Sequence, residues 1–252
     1  MNSKVCVVIP TYNESENLPD IVHGLLGLGL PQMQILIIDD ASPDGTGAVA
    51  DSFAASHPGC IFVVHREAKQ GIGPAYVQGF KTALTLQPDV IVQMDADLSH
   101  QPEAILDMLT ALDTADVVVG SRYVDGGSVD EGWGWARRAL SRYGNAYTRL
   151  VGGVHVHDAS SGFKAYSRNV MGLIPLDSLQ CKGFGFQAEV TMACQRLYLT
   201  MVEHPIHFMD RKKGASKISW SIVWEALWRL PYIRVNHFIG RYLRDNPKHR
   251  ES

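Results

Sequence analysis

Asp95-Ala96-Asp97 sets two carboxylates one residue apart at the end of the apolar run Asp89-Val90-Ile91-Val92-Gln93-Met94. Side chains at i and i+2 of an extended chain point the same way, so both acids can face one cation or one ribose. Oxygen-only ligand sets of this kind suit hard divalent cations, and magnesium keeps substrate phosphates in its shell. A plainer reading makes Asp97 a cap for the helix that Pro102-Glu103 opens and leaves Asp95 solvated. Two further acidic clusters weigh against that reading. One is Pro10-Thr11-Tyr12-Asn13-Glu14, and the other is Asp39-Asp40-Ala41-Ser42-Pro43-Asp44-Gly45-Thr46. Ser-Pro-Asp-Gly is strong turn chemistry, which accounts for the proline and glycine but not for the two acids before them. Tyr12 could flank a base, and Glu14 and Asp40 could accept hydrogen bonds from a base or a ribose.

The elements that would position these clusters are legible. Strands are expected at Lys4–Ile9, Gln34–Ile38, Ile61–His65, Val90–Met94 and Asp116–Gly120. Helical patterns lie between them at Leu18–Leu26, Thr46–Ala55, Pro74–Leu86 and Pro102–Leu112. Such alternation predicts βαβ units on a mostly parallel sheet. Parallel strands bring their carboxyl ends to one edge, the place where open α/β sheets hold ligands. Further helices are expected at Trp133–Leu150, Gln187–Leu197 and Ser219–Leu230, with one more strand at Thr200–Phe208.

The chain has 252 residues, 46% of them hydrophobic and 19% charged, enough for one large α/β domain with a sizeable core. No apolar stretch approaches the roughly 18 residues that span a bilayer, and the N-terminus reads as a strand, not a signal peptide. Cys6, Cys60, Cys181 and Cys194 lack metal-like spacing, so reduced core thiols of a cytosolic protein are expected. The net charge of −3 hides an asymmetry. Residues 211–252 hold ten Lys/Arg against three Asp/Glu, a balance of +7 that suits an anionic surface.

Taken together, Val8–Glu14, Asp39–Thr46, Gly71-Ile72-Gly73, Asp95-Ala96-Asp97-Leu98-Ser99-His100, Gly120-Ser121-Arg122-Tyr123 and Ser160-Ser161-Gly162-Phe163 resemble the inverting GT-A glycosyltransferases. More narrowly they are similar to the polyprenol (dolichol) monophosphate mannose synthases, in that family's order, to about Lys217. The resemblance implies a GT-A domain over 1–217, an open Rossmann-like sheet flanked by helices. A basic amphipathic helical segment follows over 218–252. It implies transfer of mannose from GDP-mannose to a polyprenyl monophosphate with inversion, assisted by Mg²⁺ or Mn²⁺. Pro10, Tyr12, Glu14, Ile38 and Asp40 match the family's guanosine-binding positions, and Asp95 and Ala96 its ribose- and phosphate-adjacent ones. Asp97 matches the principal metal ligand, with Ser99 a second metal-proximal position that fits contact through water. Arg122 matches a cation near the sugar and the acceptor phosphate. Arg211 and Lys217 match a loop over the diphosphate, in which Gly214 would permit closure. Asp97, Arg122 and Arg211 are the residues assigned to catalysis.

Chemistry supports those cations independently. A departing nucleoside diphosphate needs positive charge on its oxygens, which Arg supplies as a fork and Lys as a compact charge. A lipid monophosphate, with a second pKa of ~6, is largely ionised at neutral pH and attacks without a general base. The acceptor side should therefore carry cations, with Arg137 or Arg138 joining Arg122. A UDP-hexose donor, or a saccharide hydroxyl acceptor needing an extra carboxylate base, are the rival readings. A non-catalytic relative that binds nucleotide or lipid is a third. His155-Val156-His157-Asp158 has metal-like spacing but lacks a third ligand and reads as structural or acceptor-side. Gly71-Ile72-Gly73 follows the wrong strand and lacks the third glycine of a dinucleotide fingerprint.

Trp220, Trp224 and Trp228 fall on one helical face among arginines, ahead of Pro231, which should end that helix. Core packing is the ordinary explanation, and peripheral attachment to the cytoplasmic face of a membrane is the sharper one. A small membrane subunit is a conceivable partner, and nucleic acid is not an expected one.

Overall fold

A computed structural model describes residues 3–183, 185–210 and 228–235. In chain order the elements are β1 (Val5–Thr11), α1 (Leu18–Gly27), β2 (Met33–Asp39), α2 (Thr46–Ser56), β3 (Ile61–His65), α3 (Ile72–Thr85) and β4 (Val90–Gln93). There follow α4 (Ala104–Ala111), β5 (Val117–Ser121), β6 (Ser128–Val129), α5 (Trp135–Gly152), β7 (Lys164–Ser167), α6 (Arg168–Leu173), α7 (Gly185–Arg196), β8 (Met201–Pro205) and β9 (His207–Phe208). Seven strands form one sheet in the order β3-β2-β1-β4-β7-β5-β8, and β6 and β9 pair separately.

The strands are apolar on both faces because both faces are covered. Val5, Val7 and Ile9 of β1 join Met33, Ile35 and Ile37 of β2 under α1, α2 and α4. Cys6, Val8, Leu36 and Ile38 point the other way, into a core shared with α3, α6 and α7. Leu230 and Ile233 close that second core, each almost wholly buried. No disulfide joins the four cysteines, and burial pushes the Cys6 and Cys194 thiols up to about 12.

The expected mostly parallel sheet is observed, with one strand that the sequence reading missed. Strand β7 inserts between β4 and β5 and runs antiparallel to both. At four residues, with Lys164 as its first, it lacks the alternation of an ordinary strand. The fully buried Lys164 ammonium donates to the Ser161 carbonyl and to Gln187 Oε1. The strand expected over Thr200–Phe208 divides at Ile206, with β8 in the large sheet and β9 in the small one. Pro205 lacks the N–H needed to extend the ladder. Residues 228–235 are helical on both sides of Pro231, so that proline does not end the helix as expected. Leu230 before it and Ile233 after it are both anchored in the core.

Candidate active site

Parallel register sets Thr11 opposite Asp39, so the polar clusters after β1 and β2 emerge side by side. Their loops are stitched together. Asn13 N donates to Ser42 Oγ at 3.1 Å, Glu14 N to Thr46 Oγ1 at 2.9 Å, and Ser15 N to Asp44 Oδ2 at 3.1 Å. Asp44 also accepts the Thr46 amide and hydroxyl. Slight burial raises its pKa, but these bonds outweigh it and hold the carboxyl at about 2. Glu14 accepts from Asn17 Nδ2 at 2.7 Å, and Lys69 Nζ lies 3.6 Å from the centre of the Tyr12 ring. A cation–π contact thus already covers one face of the aromatic expected beside a base.

Asp40 has structural work of its own. Its carboxylate accepts from Arg66 Nη1, from Gln70 N at 3.2 Å and from Gly71 N at 3.1 Å, and it is nearly buried. It therefore fixes the loop between β3 and α3. Gly71 in that loop and Gly73 in the first turn of α3 lie against the carbonyls of Lys182 and Cys181, where a Cβ would come within 2.7 Å and 2.1 Å of oxygen respectively. The two glycines are a packing device, which agrees with their failure as a dinucleotide motif. Ile38 is wholly buried and Ala96 nearly so, which places both in the core beneath the strand ends.

Beyond β4, the turn through Leu98, whose φ is +62°, presents Asp95, Asp97 and Ser99. Tyr76 Oη donates to Asp95 Oδ1 at 2.7 Å, and burial and then Asp95 itself push that phenol well above its usual pKa. His100 Nδ1 accepts the Asp95 N–H at 3.3 Å while its ring stacks on Phe163 at 4.9 Å. Burial lowers its pKa to about 4 against the pull of Asp97, so the imidazole is neutral and able to accept. Asp97 Oδ1 accepts from Ser99 N at 3.1 Å. The Ser99 hydroxyl is buried and has no hydrogen-bond partner among the described residues. Among the described residues no three His, Cys, Asp or Glu side chains gather as a complete metal cage. Two carboxylates and a buried, unmatched hydroxyl form a partial all-oxygen set, which fits a hard cation that takes its remaining ligands from phosphate and water.

Beyond β5, Arg122 is buried against Asp158. Nε donates to Oδ2 and Nη2 to Oδ1, each at 2.7 Å, and Nη2 also reaches Ser160 Oγ at 2.9 Å. Asp158 in turn is braced through its amide by Glu203, which also takes His157 N and Nδ1. His157 and Asp158 thus belong to the support of Arg122 and not to a metal site.

The other expected acceptor-side arginines are engaged elsewhere. Arg137 pairs with Asp210 at 2.8 Å and lies over the Trp133 ring, and Arg138 donates to the carbonyls of Asp130 and Glu131. A cavity of about 390 Å³ opens instead on Arg122, Arg142, Arg149, Asn145, His157 and Asp125. Arg142 and Arg149 escaped the sequence reading. Arg138, Arg142 and Arg149 fall at i, i+4 and i+11 of one helix, a spacing that marks a common side. Arg211 and Lys217, proposed for the diphosphate, lie outside the described residues. So do Trp220 and Trp224, while Trp228 is described and exposed.

A mostly parallel sheet flanked by helices, with acids at the ends of β1, β2 and β4 and an arginine beyond β5, defines a GT-A glycosyltransferase. The sequence profile described as "Glycosyl transferase family 2" matches residues 6–172, and the chain belongs to that family. It is 45% identical over 228 residues to the polyprenol monophosphomannose synthase of Mycolicibacterium smegmatis, covering 90% of this chain and 85% of that one. It is 44% identical over 224 residues to the undecaprenyl-phosphate mannosyltransferase of Micrococcus luteus, covering 89% and 91%. Among solved structures, a mannosyltransferase from Pyrobaculum calidifontis in complex with GDP-Man and Mn²⁺ superposes with a TM-score of 0.59. That match has 17% identity and covers 97% of this chain and 65% of the other. The likeness is one of fold.

Proposed function

We propose that this enzyme transfers mannose from GDP-mannose to a polyprenyl monophosphate, with inversion and with the help of a divalent cation. The observation that carries the acceptor assignment is the cavity beside Arg122, where Arg142 and Arg149 face the space and have no ion-pair partner among the described residues. Such a lining recognises a dianion. Mannose and a polyprenyl phosphate acceptor come from the two mannosyltransferase relatives, and the GDP donor from the fold neighbour's complex.

In this reading, the base and ribose lie over Tyr12, Glu14 and the β1 and β2 loops, and the diphosphate lies by Asp95 and Asp97. When bound, the cation held by Asp97, with Ser99 through water, would neutralise charge developing on the diphosphate. Arg122, fixed in direction by Asp158, orients an acceptor oxygen behind the anomeric carbon. That oxygen forms the new bond to C1 as the bond from C1 to the β-phosphate oxygen breaks, and GDP leaves with the electron pair. The opposed approach inverts C1. Arg211 and Lys217 are proposed to stabilise the leaving group.

No base is required, and the fold agrees with that at one telling position. Glu189, the acid on α7, is wholly buried and accepts the amides of Gln180 and Cys181, so it braces a loop and does not face the cleft. Asp125 is the one acid among the cavity residues named above and gives the hydroxyl-acceptor rival its candidate base. The deciding experiment offers labelled GDP-mannose and UDP-glucose with polyprenyl phosphate or the matching polyprenol. Transfer from GDP-mannose to the phosphate alone, kept by Asp125→Asn, is the expected result. Efficient transfer to the alcohol, lost in Asp125→Asn, would overturn it.

A further inference from the structure

Helix α5 is amphipathic in the reverse sense. Its fully buried residues are polar, beside Tyr147 and Val151, which pack half-buried against the core. Ser141 Oγ accepts from Tyr123 Oη at 2.7 Å, Asn145 Oδ1 accepts from Ser160 N at 3.1 Å, and Asn145 and Thr148 are the buried residues of the helix. Its outward face is apolar. Leu140, Tyr143 and Leu150 fall at i, i+3 and i+10, with Trp135 on the first turn. Their exposures are 57%, 75%, 78% and 84%. Arg138, Arg142 and Arg149 run along one flank of that stripe. At the C-terminal end, Arg234 Nη1 donates to the carbonyls of Leu150 and Val151 at 2.8 and 2.7 Å. That contact brings a second exposed apolar set, Tyr232 and Val235, to the same end.

A helix that buries hydroxyls and amides and shows water its leucines and aromatics is a binding surface. The arginine flank selects the occupant. Two copies meeting through this face would oppose their arginine rows. An aromatic and aliphatic stripe edged by arginines matches the boundary between headgroups and acyl chains of an anionic bilayer. We propose that α5 lies in the plane of an anionic membrane surface, with Trp135, Leu140, Tyr143 and Leu150 at the acyl boundary and the arginine row at the lipid phosphates. This assigns membrane contact to the middle of the chain, apart from the C-terminal segment. It rests on the lipid-phosphate reading for its purpose but not for its measurement.

The test is flotation of the full chain with phosphatidylglycerol/phosphatidylcholine vesicles at low salt, beside vesicles of phosphatidylcholine alone. Binding to the anionic vesicles is expected, with tenfold or greater loss in Leu140→Ser/Tyr143→Ser/Leu150→Ser at an unchanged melting temperature. Leu140→Ala/Tyr143→Ala/Leu150→Ala gives the same readout should the serine variant misfold, and Leu150→Trp should bind more tightly than wild type. Wild-type flotation by the triple variants overturns the proposal and leaves the C-terminal segment as the anchor. Absence of wild-type flotation, or a wild-type dimer that the triple substitution dissolves, also overturns it. Transfer to a water-soluble short-chain prenyl phosphate, measured in the same preparations, should be kept by the triple variants. Failure of that transfer in wild type, with α5-dependent flotation intact, would defeat the functional reading and spare this one.

Discussion

Arg122 and Asp158 are joined by three hydrogen bonds, two from the guanidinium at 2.7 Å and one from the Arg122 amide at 3.0 Å. The pair is buried, and Glu203 holds the Asp158 backbone from behind. The guanidinium thus has a fixed plane where it lines the cavity.

Asp158→Asn should therefore lower stability and activity together. It leaves a buried cation unpaired, which costs about 3–5 kcal/mol, and chemical denaturation will read that loss directly. Burial raises the Asp158 pKa, but Arg122 outweighs it and the net direction is down. A carboxyl depressed on folding contributes stability that is present above the unfolded value of ~3.9 and vanishes as pH falls through the folded one. The gap in stability between wild type and Asp158→Asn should hold at neutral pH and narrow below about pH 4. A gap unchanged at pH 3 would show that the ion pair is not its source.

Asp97→Ala should abolish turnover with the fold intact, and Asp95→Ala should weaken donor binding. Chelation of divalent cations should mimic the first, and Ser99→Ala should raise the metal concentration needed for half activity by a modest factor. Turnover and calorimetric titration of GDP-mannose with and without added Mn²⁺ will separate these effects. Retention of most activity by Asp97→Ala in EDTA would remove the metal from the reaction.

Gly162 is the unexpected partner of Asp95. A Cβ at position 162 would lie 2.5 Å from Asp95 Oδ2, and the Tyr76 bond leaves that carboxylate little room to retreat. Gly162→Ala should cost about 1–3 kcal/mol, the usual penalty for overpacking a filled site. Most of it should appear as weaker donor binding if Asp95 meets the donor. Unchanged donor affinity with lowered stability would mean that Asp95 only supports the turn.

Most of the N-terminal frame was legible because it rests on local rules. The strands leading to Thr11, Asp39 and Asp97 are short apolar runs closed by turn chemistry, and their parallel pairing follows from the helices between them. The candidate site residues were readable for the same reason: they stand at strand ends. What escaped depends on contacts distant in sequence. Lys164 in β7 is a strand residue only because Gln187 and the Ser161 carbonyl take its ammonium. Asp40 is a loop anchor only because Arg66 and Gly71 fold back to it. Arg142 and Arg149 were passed over since a helix with three outward arginines reads as solvated, until the β5–β6 loop is seen to close a cavity over them.

The acceptor's ionisation should govern the rate. With Arg122, Arg142 and Arg149 lining the proposed acceptor cavity and Glu189 turned into a loop, Asp125 is the carboxylate that the cavity presents, and the proposed reaction does not use it. The limb of kcat/KM on the acid side should then follow the second ionisation of the lipid phosphate, near pH ~6. It should move with the pKa of an acceptor analogue and stay in place in Asp125→Asn. Arg142→Gln and Arg149→Gln should raise the KM for acceptor with little change in that for GDP-mannose. Each should cost about 1.5–3 kcal/mol, the worth of a hydrogen bond to a charged group. Profiles measured with a phosphate and a phosphonate acceptor will show the difference. An acid limb fixed in position across both acceptors, and displaced by Asp125→Asn, would return the reaction to general-base chemistry and promote the hydroxyl acceptor.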